Sequence, residues 1–264
     1  MKVYIGVDSE GEACVVGQPG VAGETGPWQF EYCRRRATEE ASAAVEGARK
    51  AGATEIVVHD QGFMRGYAPG GTIMHYDLLP RGIRIAQGAI PIQKVVDKTF
   101  DAAMLVGFHA RAGVPTGVMA HTFSMVSIEK IEMNGREIGE IGIESLIIGA
   151  FGVPVVMVAG DEDATNEARE WLGDIEVAPV KKGFGYHQAI SLHPADANEL
   201  IRVKAERALQ RLREFKPFKL SPPYEMKITT RSEEGAEMRV KRHNGERIGP
   251  RTVLKRTNDP MELW

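Results

Sequence analysis

The sequence predicts an α/β fold, with a layered, largely parallel sheet flanked by helices and a smaller C-terminal β-rich appendage. Short apolar runs alternate with segments of helical periodicity through the first two-thirds of the chain, an order typical of parallel sheets. Hydrophobic residues make up 43% and charged residues 26% of the chain, a balance that supports a buried core. Pro217 and the pair Pro222–Pro223 interrupt the alternation, so we expect an α/β domain over residues 1–216 and the appendage over 217–264.

The elements of the first half follow from periodicity and turn chemistry. Val3, Ile5 and Val7 share one face of an extended segment, which predicts a strand over residues 2–7. Alanines at helical spacing predict a helix over 28–50, which Gly52 is well placed to end. Further strands are expected over residues 55–58, 102–107, 117–120, 127–133 and 136–139, the last two joined by the hairpin turn Asn134–Gly135.

The second half continues the alternation. The helix after His193 is the clearest, since Pro194 suits its first turn and an apolar stripe follows. The other predicted helices cover residues 140–151 and 164–172, the predicted strands cover 153–159 and 176–190, and short strands or arms of the appendage cover 226–230, 237–241 and 251–254.

Composition excludes several classes of protein. The formal charge of -3 implies no general attraction to nucleic acid or to an anionic membrane. Cys14 and Cys33 have no disulfide-framework or zinc-finger spacing, which fits the reducing cytoplasm. Asp8 and Glu10 fall where a signal peptide would need apolar residues, and no apolar run approaches the roughly 20 residues of a membrane span. We therefore expect a cytoplasmic protein.

Potential ligands for a hard or borderline metal recur at the ends of predicted strands. Asp8 and Glu10 follow the first strand, Asp60 the second and His109 the third, while Glu140 opens a helix. Because the carboxyl ends of parallel strands meet at one crevice, these residues can converge on a metal such as zinc, manganese or cobalt. The alternatives are a solvated turn for Asp8 and Glu10 and a packed core ring for His109.

A second group of polar residues has less specific signals. His121 follows a short apolar segment and could act as a base, a nucleophile or a stabiliser of an oxyanion, or be an ordinary loop histidine. Glu140 and Glu144 lie four apart on a helix, where like charges are unfavourable unless a cation or a basic side chain intervenes. Lys181 and Lys182 fit either a solvated surface or contact with a substrate carboxylate or oxyanion.

Together these segments resemble the dipeptide-operon type of metal-dependent D-aminopeptidase, a family of self-compartmentalising peptidases. The resemblance covers VDSEG with Asp8 and Glu10, VGFHARAG with His109, GVMAHT with His121, EIGEIG with Glu140, and VPVVMVAGDE. It extends with less force through VKKGFG and SLHPADA to about residue 197. Ordered matches over most of the main domain are far more specific than any single tetrapeptide.

The resemblance implies a metal centre of two divalent ions, zinc in this family. Asp8 would bridge the two ions, Glu10 would bind one, and His109 and Glu140 would bind the other. His121 would be the catalytic histidine. The resemblance also implies a short peptide substrate with a D-configured N-terminal residue, and a homo-oligomer that in this family is a decamer of two pentameric rings.

One position departs from the family pattern. The family has a metal-binding histidine two residues after the aspartate that follows the second strand, whereas Gly62 stands here. His59, Asp60 or Gln61 could replace that ligand, although His59 points away from Asp60 if the segment stays extended. The leading hypothesis is therefore a metal-dependent aminopeptidase. The alternatives are a divergent metal-dependent amidohydrolase acting on a non-peptide amide and a non-catalytic binding protein on the same scaffold.

Overall fold

The computed structural model describes residues 1–17, 27–61, 72–88 and 90–263. Its main sheet has the strand order β3-β2-β1-β4-β7-β8-β9, parallel throughout except at the last pair. The strands of this sheet are β1 (Lys2–Val7), β2 (Glu55–Asp60), β3 (Arg84–Ala86), β4 (Ala102–Phe108), β7 (Val155–Asp161), β8 (Glu176–Gly185) and β9 (Gln188–Ser191).

Helices cover both faces of this sheet and confirm the layered α/β prediction. Two hydrophobic clusters lie on opposite faces of β1, one with Val3, Ile5 and Val7 and the other with Tyr4. The first cluster includes side chains of α1 and α4, and the second includes side chains of α2 and α3. The helices are α1 (Pro27–Lys50), α2 (Glu140–Ala150), α3 (Glu162–Leu172), α4 (Pro194–Gln210) and α5 (Glu233–His243).

A second, antiparallel sheet has the strand order β11-β12-β10-β5-β6. Its first hairpin turns at Asn134 and Gly135, which both have positive φ, as the sequence predicts. The strands are β5 (Ile128–Met133), β6 (Arg136–Glu137), β10 (Tyr224–Thr230), β11 (Glu246–Arg247) and β12 (Thr252–Thr257). Because β10 pairs with β5 as well as with β12, this sheet draws strands from both sides of residue 217. The division into 1–216 and 217–264 stays a prediction.

The segment 237–241, predicted as a short strand or arm, is helical and lies inside α5. The signals for that helix are present in the sequence. Ser232 caps its start by accepting a hydrogen bond from the Gly235 amide, and Asn244 ends it in a left-handed conformation. Acidic residues open the helix and basic residues close it, which suits the helix dipole.

The strand predicted over residues 117–120 is also wrong, since these residues form turns. Met119 has φ of 50°, which breaks extended geometry. The amide of Val118 donates to the side chain of Asp161, and the amide of His121 donates to the carbonyl of Ala110. The turns therefore bring His121 back beside the end of β4. Among the described residues, no helix combines the length and the apolarity needed to cross a membrane.

Candidate metal centre

The candidate site lies at the carboxyl end of the main sheet, where β1 and β4 run side by side. The Asp8 amide donates to the Val106 carbonyl at 2.9 Å, and the Gly11 amide donates to the Gly107 carbonyl at 2.7 Å. Gly107 has φ of 76°, and a Cβ there would lie 2.2 Å from the Asp8 carbonyl oxygen. Glycine at 107 thus permits the close approach that places Asp8 beside His109.

The predicted ligands converge on His109. Its Nε2 lies 3.4 Å from Oδ2 of Asp8 and 3.3 Å from Oε1 of Glu140, the first residue of α2. Two groups of ligand atoms each lie within 4.8 Å of one another: Asp8 with Glu10 and His109, and His109 with His121 and Glu140. All five site residues predicted from the sequence therefore occupy one neighbourhood. Which of them bind metal stays a prediction.

Backbone carbonyls orient both imidazoles. Nδ1 of His109 lies 2.9 Å from the Ala110 carbonyl, and Nδ1 of His121 lies 2.8 Å from the Met119 carbonyl. A carbonyl only accepts hydrogen bonds, so each Nδ1 carries a proton and donates it. Each Nε2 is therefore directed into the site, and the two rings stack with centroids 3.9 Å apart.

This arrangement fits a bound cation. Nε2 of His109 is buried and has no hydrogen-bond partner among the described residues, although two carboxylates face it. Burial alone would lower the pKa of His109, but the close approach and charge of Glu140, with the charges of Asp8 and Glu10, raise it well above the usual value. The site therefore favours positive charge at this atom, which a divalent metal bound to a neutral imidazole would supply.

The pKa values of the groups around His109 are shifted in different directions. Burial, followed by the charge of Glu10, raises the pKa of Asp8, as expected for carboxylates crowded without a cation. Burial would also raise the pKa of Glu140, but the close approach of the His109 ring and its charge lower it overall. Burial and then the charge of His109 lower the pKa of His121, which favours the neutral imidazole, whose Nε2 can accept a proton.

Lys181 supports the loop that carries Glu10, a role that the sequence did not reveal. Its ammonium donates to the carbonyls of Glu10, Glu12 and Val15 at 2.5, 2.9 and 2.6 Å. The residue is 3% exposed, so neither proposed role, a solvated surface or direct contact with substrate, describes it. Lys182 is largely exposed and lies 3.6 Å from Glu162.

Each candidate for the replaced ligand makes a hydrogen bond to another side chain. His59 points away from Asp60, as the extended geometry predicts, and its Nδ1 lies 2.8 Å from the Tyr4 hydroxyl. Oδ2 of Asp60 accepts hydrogen bonds from Thr72, Ile73 and Tyr76. Nε2 of Gln61 donates to Oε1 of Glu144 at 2.9 Å. Gly62 lies outside the described residues.

Sequence reasoning also missed Glu167, which supports the start of α2. Its two carboxylate oxygens accept hydrogen bonds from the amides of Arg111 and Gly139, at 2.9 and 3.0 Å. Gly139 precedes Glu140, so Glu167 connects α3 to the start of the ligand-bearing helix. Nothing in its local sequence distinguishes it from an exposed helical glutamate.

Comparison with known proteins places the chain in a family. The family model described as D-aminopeptidase, peptidase family M55, matches residues 1–264. A D-aminopeptidase from Bacillus subtilis (strain 168) is 34% identical over 225 residues, which cover 84% of this chain and 78% of that protein. The solved structure of the Zn-dependent D-aminopeptidase DppA from Bacillus subtilis, a self-compartmentalizing protease, has a TM-score of 0.89 and 29% identity, covering 100% of this chain and 94% of that one. With the whole chain matched and the polar residues of its segments gathered at one site, the protein belongs to the D-aminopeptidase family.

Proposed function

We propose that this metal-dependent aminopeptidase removes a D-configured N-terminal residue from short peptides, with zinc at the centre formed around His109. The supporting observation is the buried Nε2 of His109, which faces carboxylates of Asp8 and Glu140. The D-aminopeptidase from Bacillus subtilis and the Zn-dependent DppA supply the precedent for the substrate and the metal.

We assign the ligands as two overlapping sets. Asp8, Glu10, His109 and Glu140 would hold the metal, with Asp8 shared between two ions. The grouping of Asp8 and Glu10 with His109, and the 3.3 Å from Nε2 of His109 to Glu140, support a ligand role for these four residues. When bound, zinc supplies Lewis acidity toward the scissile carbonyl and lowers the pKa of water.

His121 would transfer the proton. Its Nδ1 is held by the Met119 carbonyl, so Nε2 is the atom that accepts a proton as water adds to the peptide carbonyl. The same atom returns that proton to the departing amine, which leaves as the shorter peptide. The lowered pKa of His121 suits this role, because the imidazole is neutral before the reaction.

The test compares D-alanyl and L-alanyl amides as substrates for chelator-treated protein resupplied with zinc, manganese or cobalt. We expect zinc to restore hydrolysis of the D-alanyl amide in preference to the L-alanyl amide. His121→Ala should lower kcat by roughly 100-fold or more and retain zinc, since it removes the proton acceptor. Bound metal without hydrolysis of either amide would favour a non-peptide amide as substrate. Absence of both metal binding and turnover would favour the binding protein.

We also propose a cytoplasmic homo-oligomer, specifically a decamer of two pentameric rings. The self-compartmentalizing relative supports assembly, and Trp28 and Leu78, which line a common surface groove and are 70% and 69% exposed, are candidates for a subunit contact. Sedimentation equilibrium should give ten times the chain mass of 29.0 kDa, whereas a monomer or a dimer would contradict the ring assembly. The free thiols of Cys14 and Cys33 fit a reducing compartment.

A further inference from the structure

A cavity of about 340 Å³ adjoins the metal centre, and its lining includes the ligand candidates Asp8 and Glu140. Apolar side chains, among them Phe108 and Ile147, form part of its wall. Of the polar lining residues that belong to neither group of converging ligand atoms, Gln61 and Glu144 are hydrogen-bonded to each other. The cavity therefore joins the reaction centre to a polar pair that the proposed chemistry does not use.

This pair holds two buried oxygen atoms without hydrogen-bond partners among the described residues. Nε2 of Gln61 donates to Oε1 of Glu144, which fixes the two side chains against each other. The remaining acceptors, Oε1 of Gln61 and Oε2 of Glu144, are buried and unpaired. Glu144 is 8% exposed, so bulk water does not satisfy its carboxylate. Unpaired buried acceptors are costly, and a ligand with N–H groups would satisfy them.

The charge around the pair selects a cationic ligand. Asp8, Asp60, Glu140 and Glu144 contribute four carboxyl groups to the lining, and Arg242, the cationic side chain among the described lining residues, is exposed. Burial raises the pKa of Glu144 to about 8, so a cation seated beside it would stabilise the ionised carboxylate. An ammonium group offers both the positive charge and three N–H donors.

The position of Glu144 indicates which ammonium group of a peptide would reach this pair. Glu144 lies one helical turn after Glu140, and side chains at this spacing are neighbours on a helix face. In a peptide, the α-ammonium is two bonds from the carbonyl carbon that the enzyme attacks. We propose that Glu144 and Gln61 bind the α-ammonium of the substrate and so restrict cleavage to the first peptide bond. This assignment rests on the proposed aminopeptidase function.

Binding of D-alaninol to zinc-loaded protein tests the pair without hydrolysis, because this amino alcohol has no scissile amide. Calorimetry should show roughly tenfold or greater loss of affinity in Glu144→Gln, which removes the charge and keeps the side-chain shape. The exposed Glu55→Gln is the matched control and should leave affinity within about twofold of wild type. Gln61→Leu removes the second acceptor and should also weaken binding, with an unchanged circular dichroism spectrum.

Kinetics and metal content give independent readouts. In Glu144→Gln, KM for the D-alanyl amide should rise by roughly tenfold or more while zinc content stays at the wild-type level.

Wild-type affinity for D-alaninol in both Glu144→Gln and Gln61→Leu would overturn the proposal. Loss of zinc from Glu144→Gln would overturn it too, since Glu144 would then be a metal ligand. Binding of D-lysinol without binding of D-alaninol would also contradict it, by placing a side-chain ammonium at the pair. If D-alaninol binds as expected but no alanyl amide is hydrolysed, the ammonium site stands and the aminopeptidase function fails.

Discussion

Replacement of Lys181 by methionine should destabilise the protein far more than the same change at its neighbour Lys182. The Lys181 ammonium donates three hydrogen bonds to backbone carbonyls in the loop after β1. Charge-assisted bonds contribute roughly 1.5 kcal/mol or more each, so three sum to about 4.5 kcal/mol. In other proteins, mutations that remove one partner of a buried ion pair lower the free energy of unfolding by about 3–5 kcal/mol, a similar figure. The methionine side chain keeps most of the packing, so the loss belongs to the ammonium.

Urea unfolding followed by circular dichroism measures this difference. We expect the free energy of unfolding to fall by about 3–5 kcal/mol in Lys181→Met. In Lys182→Met, which loses only an exposed ion pair with Glu162, we expect a change within about 1 kcal/mol. Zinc affinity should fall in Lys181→Met as well, because the loop carries Glu10. Equal stability of the two variants would refute the argument that buried carbonyls depend on this ammonium.

Three further changes test other parts of the structure. Asp8→Asn should abolish zinc binding and hydrolysis together, measured by metal analysis and assay, and retention of zinc would count against Asp8 as a ligand. Gly107→Ala should lower the thermal midpoint sharply, because its Cβ would meet the Asp8 carbonyl at 2.2 Å; a wild-type midpoint would contradict that contact. Burial raises the pKa of Glu167 to about 7, so its contribution to stability is complete below the ordinary carboxyl pKa and is lost as pH rises through about 7. Glu167→Gln should flatten the fall in stability between roughly pH 4.5 and 7, and an unchanged slope would exclude Glu167 as its source.

Local signals in the sequence predicted most of the main sheet. The alternation of Val3, Ile5 and Val7 places these three side chains in one of the two clusters that cover β1, and Asn134–Gly135 makes the expected hairpin turn. Strand ends and helix starts then bring Asp8, His109 and Glu140 together, because parallel strands share one carboxyl edge. These features depend on periodicity and topology, which a single sequence carries.

The features of the fold and site that the sequence did not predict depend mostly on contacts between distant segments. The sequence leaves Lys181 open as a surface residue or a substrate contact, because the loop at 10–15 whose carbonyls it binds lies 166–171 residues away along the chain. The turn at Met119 cannot be predicted from the local sequence, because the Met119 amide donates a hydrogen bond to the distant Tyr186 carbonyl. Segment 237–241 is a different case, since both caps of its helix, Ser232 and Asn244, are local signals in the sequence.

Anomalous X-ray diffraction from zinc-loaded crystals tests the central claim most directly. The account predicts zinc within about 2.0–2.2 Å of Nε2 of His109 and of carboxylate oxygens from Asp8 and Glu140. Zinc bound only by other residues, with these three side chains left without metal, would contradict it.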